Sequence, residues 1–358
     1  MEIEELLKLV VDKGASDLHL KVPNPPVLRI DGELMPQEDL PPLTAKDIEL
    51  VFDQITTQEQ KVTFLREQEL DFAYSVPGVA RFRVNTLRQR GTLGIAFRAV
   101  PFGVPTVDEL ELPQIFKELI LKPRGLILVT GPTGSGKSTT LAAMINHLNE
   151  NDRRSIITIE EPIEFLYRDK KCIIAQRDVG DDTKSFSTAA IHALRHDPDV
   201  IVVGEMRDLD TISTAIMAAE TGHLVLATLH TTDAAQTVDR IVDVFPDGQQ
   251  RQIRLQVSQV IEAILSQALL PRIGEGRVAA FEIMIATTAV RNLIREQKVF
   301  ELSSIMQMSS KDGMQTLDQA LADLIKRNIV TQEEAEKKSS NPARLKRLLQ
   351  FQADVSPL

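Results

Sequence analysis

Tryptophan is missing from this chain of 358 residues, tyrosine occurs twice and cysteine once. A single cysteine excludes an intramolecular disulfide framework and a paired C-x-x-C zinc site. No apolar stretch approaches the roughly 18–20 residues of a membrane span, and the amino terminus lacks the basic and apolar runs of a secretory signal. The expectation is a cytoplasmic chain with no direct membrane insertion. Basic residues are outnumbered, 41 against 51 acidic, for a formal charge of −10. No stretch interleaves clustered basic and aromatic residues, so nucleic acid is not expected as a partner. What is present, 43% hydrophobic and 26% charged residues, is the composition of a globular chain. At about 150 residues per domain its length suggests two domains.

The first part reads as α+β. Ile3, Leu6, Leu7 and Val10 repeat at helical spacing and Gly14 closes the helix. Leu18 and Leu20 alternate with Asp17 and His19, Asp31-Gly32 signals a hairpin, and Thr44 with Asp47 marks a helix start. Strand alternation then runs through Phe72, Tyr74 and Val76, Phe82 and Val84, and Leu93, Ile95 and Phe97. A domain over residues 1–100 and a proline-spaced linker over 101–113 follow. From residue 114 to 358 the pattern changes. Apolar runs without alternation, Leu126–Val129, Ile156-Ile157, Val200–Val203 and Leu224–Leu226, separated by helical segments, mark a parallel sheet covered on both faces. A helical pattern is expected from Gln249 to Leu270, the chain from about 270 to 358 is expected to be mostly helical, and Ser339–Leu358 reads as a polar, mobile tail.

Gly131-Pro-Thr-Gly-Ser-Gly136-Lys137-Ser138 fits the phosphate-loop pattern G-x-x-x-x-G-K-[ST]. Chance would produce it in about one chain of this length in a hundred. A buried strand runs in and a helix with Leu141, Met144, Ile145 and Leu148 runs out. Gly131, Gly134 and Gly136 let the N–H groups of the loop, those of Thr133 and Ser135 included, converge on the β-phosphate. Lys137 is expected to neutralise β/γ charge, Ser138 to bind Mg²⁺, and Thr139 to lie near the α-phosphate. The expected ligands are therefore ATP and Mg²⁺.

Two apolar strands end in acids: Glu160, Glu161 and Glu164 after the first, Glu205 after the second. Ligands in open parallel sheets sit at such strand ends. An acid there holds the Mg²⁺ shell, directly or through water, or activates the attacking water, unless it merely caps the next helix. Which of the three clustered acids is catalytic stays open. His223 and His230 bracket a third strand seven residues apart, an odd interval that puts them on opposite faces and roughly 23 Å apart. His230, at the carboxyl end, is placed to donate to a γ-phosphate; His223 reads as interfacial or structural. His192 and His196, at i and i+4 on a helix, read as a solvated face. Arg81, Arg83 and Arg98 project from the polar face of the first domain's strands. If they serve phosphoryl transfer, they reach a nucleotide on a neighbouring subunit of a ring.

Seven segments together resemble the type IV pilus retraction ATPases of the secretion ATPase superfamily: GASDLHL (Gly14–Leu20), PGVARFRVN (Pro77–Asn85), GPTGSGKSTT (Gly131–Thr140), TIEEPIEF (Thr158–Phe165), VGEMRD (Val203–Asp208), TGHLVLATLHTT (Thr221–Thr232) and AVRNLIRE (Ala289–Glu296). The resemblance implies a PAS-like amino-terminal domain followed by a RecA-like P-loop ATPase domain with a helical carboxy-terminal part. It implies that Glu164 activates water, that Glu205 is the Walker B acid near Mg²⁺, that His223 and His230 form a histidine box, and that Arg83 and Arg98 act in trans. It implies a homo-hexamer at the inner face of the cytoplasmic membrane, working at the pilus base with the inner-membrane platform protein. Arg291, Asn292, Leu293, Ile294, Arg295 and Glu296 lie in the segment that resembles a retraction-specific motif. The family's acidic box usually reads Glu-Asp-Pro-Ile-Glu, and Glu161 stands in place of that Asp. An accessory retraction ATPase is the near alternative. Extension and type II secretion ATPases often carry a four-cysteine zinc element, which the single Cys172 disfavours. A RecA-like DNA translocase is disfavoured by the acidic charge.

Overall fold

A computed structural model describes residues 2–100 and 103–350. They divide into two compact units, one running to Gly103 together with Glu164–Leu166, the other comprising Val104–Ile163 and the chain from Tyr167.

In the first unit, Ile3, Leu6, Leu7 and Val10 form the buried face of α1 (Ile3–Asp12). The chain turns through Gly14, at φ +61°, into β1 (Asp17–Lys21). Asp31 and Gly32, both at positive φ, make the turn between β2 (Val27–Ile30) and β3 (Glu33–Pro36). Thr44 with Asp47, and Thr57 with Gln60, form reciprocal caps that start α2 (Ala45–Ile55) and α3 (Gln58–Glu67), each cap worth about 1 kcal/mol. Alternation along β4 (Glu69–Val76), β5 (Ala80–Gln89) and β6 (Thr92–Val100) buries Phe72, Phe82, Val84, Leu93, Ile95 and Phe97 in one core with the helices. The result is a six-stranded antiparallel sheet, β3-β2-β1-β6-β5-β4. Arg83 and Arg98 stand opposite one another across β5 and β6.

The second unit begins inside the proline-spaced stretch. Pro101 and Phe102 lie outside the described residues, whereas Val107 and Leu112 are buried with Phe116 of α4 (Ile115–Ile120) in one of the unit's cores. The sheet contains β7 (Gly125–Thr130), β8 (Ser155–Glu160), β9 (Ile173–Asp178), β10 (Val200–Val203) and β11 (Leu224–Leu229). Consecutive residues of β7 serve opposite cores. Ile127 and Val129 pack with α4 and α5 (Lys137–Asn151), while Leu126 and Leu128 pack with α6 (Phe186–Ala193), α7 (Leu209–Glu220), α8 (Ala234–Asp243) and α9 (Asp247–Val260). This double burial is why the strand runs carry no alternation.

The expected helical run from Gln249 to Leu270 is corrected. α9 stops at Val260, and Ile261–Pro271 is strand β12, parallel to β7 and antiparallel to β13 (Arg277–Ile285). β12 lies between two strands and is buried on both faces, a pattern that periodicity does not separate from a buried helix. The full order is β13-β12-β7-β11-β10-β8-β9. After β13 the chain is helical: α10 (Thr288–Arg295), α11 (Leu302–Met308), α12 (Leu317–Lys326), α13 (Gln332–Lys338) and α14 (Pro342–Gln350). The expected mobile tail is corrected as far as Gln350, because α14 buries Leu345 and the Ser339 and Ser340 hydroxyls donate to the buried Asp318 carboxylate. Residues 351–358 of that expectation lie outside the described residues. His196 falls beyond the end of α6, and both it and His192 are exposed.

Candidate active site

β7 delivers the chain into the glycine loop at the carboxyl edge of the sheet. Gly131, Gly134 and Gly136 all have φ in the left-handed region, at +144°, +78° and +89°. At Gly131 a side chain would also strike the main-chain carbonyl of Gln267 and lie 2.7 Å from Ser135 Oγ, and at Gly136 it would stand 3.0 Å from Gln267 Nε2. Helix α5 starts at Lys137 without a side-chain cap from Gly136, so its first N–H groups face the loop mouth. The Lys137 ammonium folds over the loop and donates to the carbonyls of Gly131, at 2.8 Å, and Pro132, at 3.1 Å. Ser138 and Thr139 are half-buried in the first turn, Ser135 is buried, and Thr133 and Gly134 are exposed at the apex.

Four strand ends that adjoin in space, those of β7, β11, β10 and β8, carry one continuous line of polar contacts. Thr133 Oγ1 lies 3.4 Å from His230 Nδ1. His230 Nε2 lies 3.0 Å from Glu205 Oε1. Arg207 donates to Glu205 Oε2 at 2.8 Å and to Glu161 Oε2 at 3.2 Å. Burial works to raise the Glu205 pKa, but the hydrogen bond from Arg207 and the neighbouring His230 and Arg207 charges outweigh it and hold the carboxyl below its ordinary value. Arg207 shifts the opposite way, upward, chiefly through the same bond. Glu160 is turned aside: it accepts from Thr158 Oγ1 at 2.6 Å and from Gln176 Nε2 at 3.3 Å.

The site therefore gathers Gly131, Thr133, Lys137, Glu161, Glu205 and His230. His223 is at the opposite end of β11, where its Nδ1 lies 3.0 Å from the Ala218 carbonyl and 3.2 Å from Thr221 Oγ1 at the end of α7. Glu164 is exposed and belongs with the first unit. So do the three arginines, of which Arg98 donates from Nε to Asp17 at 2.8 Å. Burial pushes the Asp17 pKa up, yet the bonds from Arg98 and Ser16 prevail and lower it. In the 291–296 segment, Arg291 is committed to the fold. It donates to the carbonyls of Ser258, Gln259 and Ala286 and to Glu262 at 2.6 Å. Ile294 is buried, Asn292 and Leu293 are half-buried, and Arg295 and Glu296 are exposed.

Two residues escape sequence reasoning. Arg207 had a signal, a cation two positions after a strand-end acid. Gln267 had none. It is buried, accepts from Thr140 Oγ1 at 2.8 Å, and packs beneath the two tight glycines.

A family model described as type II/IV secretion system protein matches residues 2–275. The type IV pilus retraction ATPase PilT of Pseudomonas aeruginosa is 50% identical over 342 residues, covering 96% of this chain and 99% of that one. A twitching motility protein of Neisseria gonorrhoeae is 47% identical over 317 residues, covering 88% and 84%. A crystal structure of the pilus retraction motor PilT with bound ADP superposes with a TM-score of 0.89 at 48% identity, covering 97% of this chain and 99% of that one. The chain belongs to the type II/IV secretion system protein family, among its pilus-retraction ATPases, and is a nucleotide-binding enzyme of that class.

Proposed function

We propose that the chain is a ring-forming motor that hydrolyses ATP to drive retraction of type IV pili, with a PAS-like domain over residues 1–100, a linker at 101–113 and the ATPase domain over 114–358. The observation that carries this reading is the line of contacts from Thr133 through His230 and Glu205 to Glu161. It sets a phosphate loop, a candidate γ-phosphate donor and two acids along one edge of the sheet.

The residues divide the work as follows. The loop N–H groups and the α5 amino terminus hold the β-phosphate, and Lys137 neutralises charge shared by the β- and γ-phosphates. Glu160 and Glu161 are committed to Thr158, Gln176 and Arg207; the resemblance to the retraction ATPases makes Glu164 the acid that takes the proton of the attacking water. Glu205 accepts at both oxygens and orients rather than abstracts, while His230 donates to the γ-phosphate. Arg83 and Arg98 serve a neighbouring subunit's nucleotide, stabilising the charge of the transition state. Ser138 and Glu205 present hydroxyl and carboxylate oxygens, the donor type that Mg²⁺ takes. Among the described residues no group of three or more His, Cys, Asp or Glu is placed to hold a metal. That suits an ion held by one or two protein oxygens and by the nucleotide, where it would neutralise phosphate charge.

The motor works at the pilus base against the inner-membrane platform protein. No described helix is long and apolar enough to cross a membrane. Deleting the gene and scoring surface pili and twitching tests the reading. Excess pili that fail to retract are expected; a bald cell would make this an extension motor instead.

A further inference from the structure

We propose that Arg207 is a positioning residue for hydrolysis, its guanidinium fork fixing Glu161 and Glu205 relative to one another at the ends of β8 and β10. The inference rests on the reading of Glu205 as part of the hydrolytic site.

Backbone pairing stops short of both acids. β8 and β10 are in register as far as Ile159 and Val203, and the last main-chain link is Gly204 N–H to the Ile159 carbonyl at 2.7 Å. Gly204 permits that approach, since a side chain there would stand 3.0 Å from the same carbonyl. Beyond it the strands part. Met206 N–H donates at 3.1 Å to the Thr228 carbonyl on β11, while the segment after β8 enters the acid turn. Arg207 spans this gap with two different nitrogens, one to each carboxylate. A planar fork with fixed donor directions suits such a bridge, whereas the single ammonium of lysine does not. The cation also offsets repulsion between two close carboxylates. With His230 on its other oxygen, Glu205 is held from both sides.

A purely structural role is the weaker explanation. The Arg207 side chain is 59% exposed, against 44% for Glu161 and 19% for Glu205, and ion pairs whose cation is so open to solvent add little to stability. What the bridge can control is the placement of reacting groups, where displacements of about 1 Å cost up to about 100-fold in rate.

The test compares Arg207→Gln, Arg207→Lys, Glu161→Gln and the Glu161→Gln/Arg207→Gln double variant by kcat, KM for ATP, affinity for a fluorescent ADP analogue and thermal unfolding. Arg207→Gln is expected to lower kcat about 10- to 100-fold, with KM and ADP affinity within about threefold of the parent. Arg207→Lys should recover part of the loss. The double variant should be no slower than Arg207→Gln alone, because the shared bridge is already gone. A kcat within about twofold of the parent in Arg207→Gln, or losses that add in the double variant, overturns the assignment. Should Arg207→Gln unfold, Arg207→Lys decides by the same kcat criterion. A parent chain without turnover overturns the ATPase reading and this one with it; an active parent beside an unimpaired Arg207→Gln overturns this one alone.

Discussion

His230 Nε2 stands 3.0 Å from Glu205 Oε1, joining the ends of two neighbouring parallel strands. The other ring nitrogen, Nδ1, lies 3.4 Å from Thr133 Oγ1 at the loop apex. One imidazole thus links the loop apex to an acid on another strand.

Lys137→Ala is expected to abolish ATP hydrolysis and to weaken nucleotide binding, because the loop loses its cation. Glu205→Ala should leave ADP affinity within a few-fold while lowering turnover about 100-fold or more. Titration with a fluorescent ADP analogue beside a steady-state phosphate assay separates the two. Full activity in Glu205→Ala would remove it from the site.

The two first-unit arginines should behave differently. Arg83→Ala and Arg98→Ala are both expected to slow turnover if they serve a neighbour, and mixing either with a Lys137→Ala subunit should restore some activity in mixed rings. Only Arg98→Ala should also soften the first unit, by about 1 kcal/mol given the exposed arginine, since it takes from the buried Asp17 one of its bonds and leaves it Ser16 and Arg29. The folded-state pKa of Asp17 is lowered, so its contribution is present above the ordinary carboxylate value and is lost as pH falls through the folded value. A melting curve at pH 7 and one near pH 3 check the sign.

Glu282 on β13 is buried, and burial pushes its pKa up to about 7 against the bond from Ala234 N–H at the start of α8. Asp233 and Asp318 add to the rise. An acid raised in the fold contributes stability at pH values below its ordinary 4.5, and that contribution is lost as pH rises through about 7. The full swing is on the order of 3 kcal/mol. Melting temperatures of the parent and Glu282→Gln, compared from pH 5 to 8, should diverge in that sense. Parallel curves would refute the assignment.

Arg291→Ala should lower stability by about 2 kcal/mol, because it takes a donor from three carbonyls and from Glu262, which keeps its ion pair with Lys122. Arg295→Ala and Glu296→Ala, both exposed, should leave melting and hydrolysis unchanged. Twitching assays on these two separate a retraction role from support of the fold.

Much of this was legible in the chain itself. The loop motif, the strand-end acids and the alternation of β4–β6 have local periods or spacings, and the resemblance of seven segments covers both units. β12 is not legible there, because a strand buried on two faces has no period to show. The helix α14 has the composition of a polar tail, and a single buried leucine, Leu345, marks its packed face. Gln267 was invisible for a different reason: its meaning depends on β12 lying beside β7, a pairing between residues far apart in the chain.

That pairing bears on fragments. A piece of this protein ending after β11 would hold the whole glycine motif, Glu205 and His230, and any motif search would score it as intact. It would nevertheless lack the floor of the loop, for Thr140 would have no amide to donate to and the glycines nothing to rest against. Such a fragment would advertise a nucleotide site it could not shape.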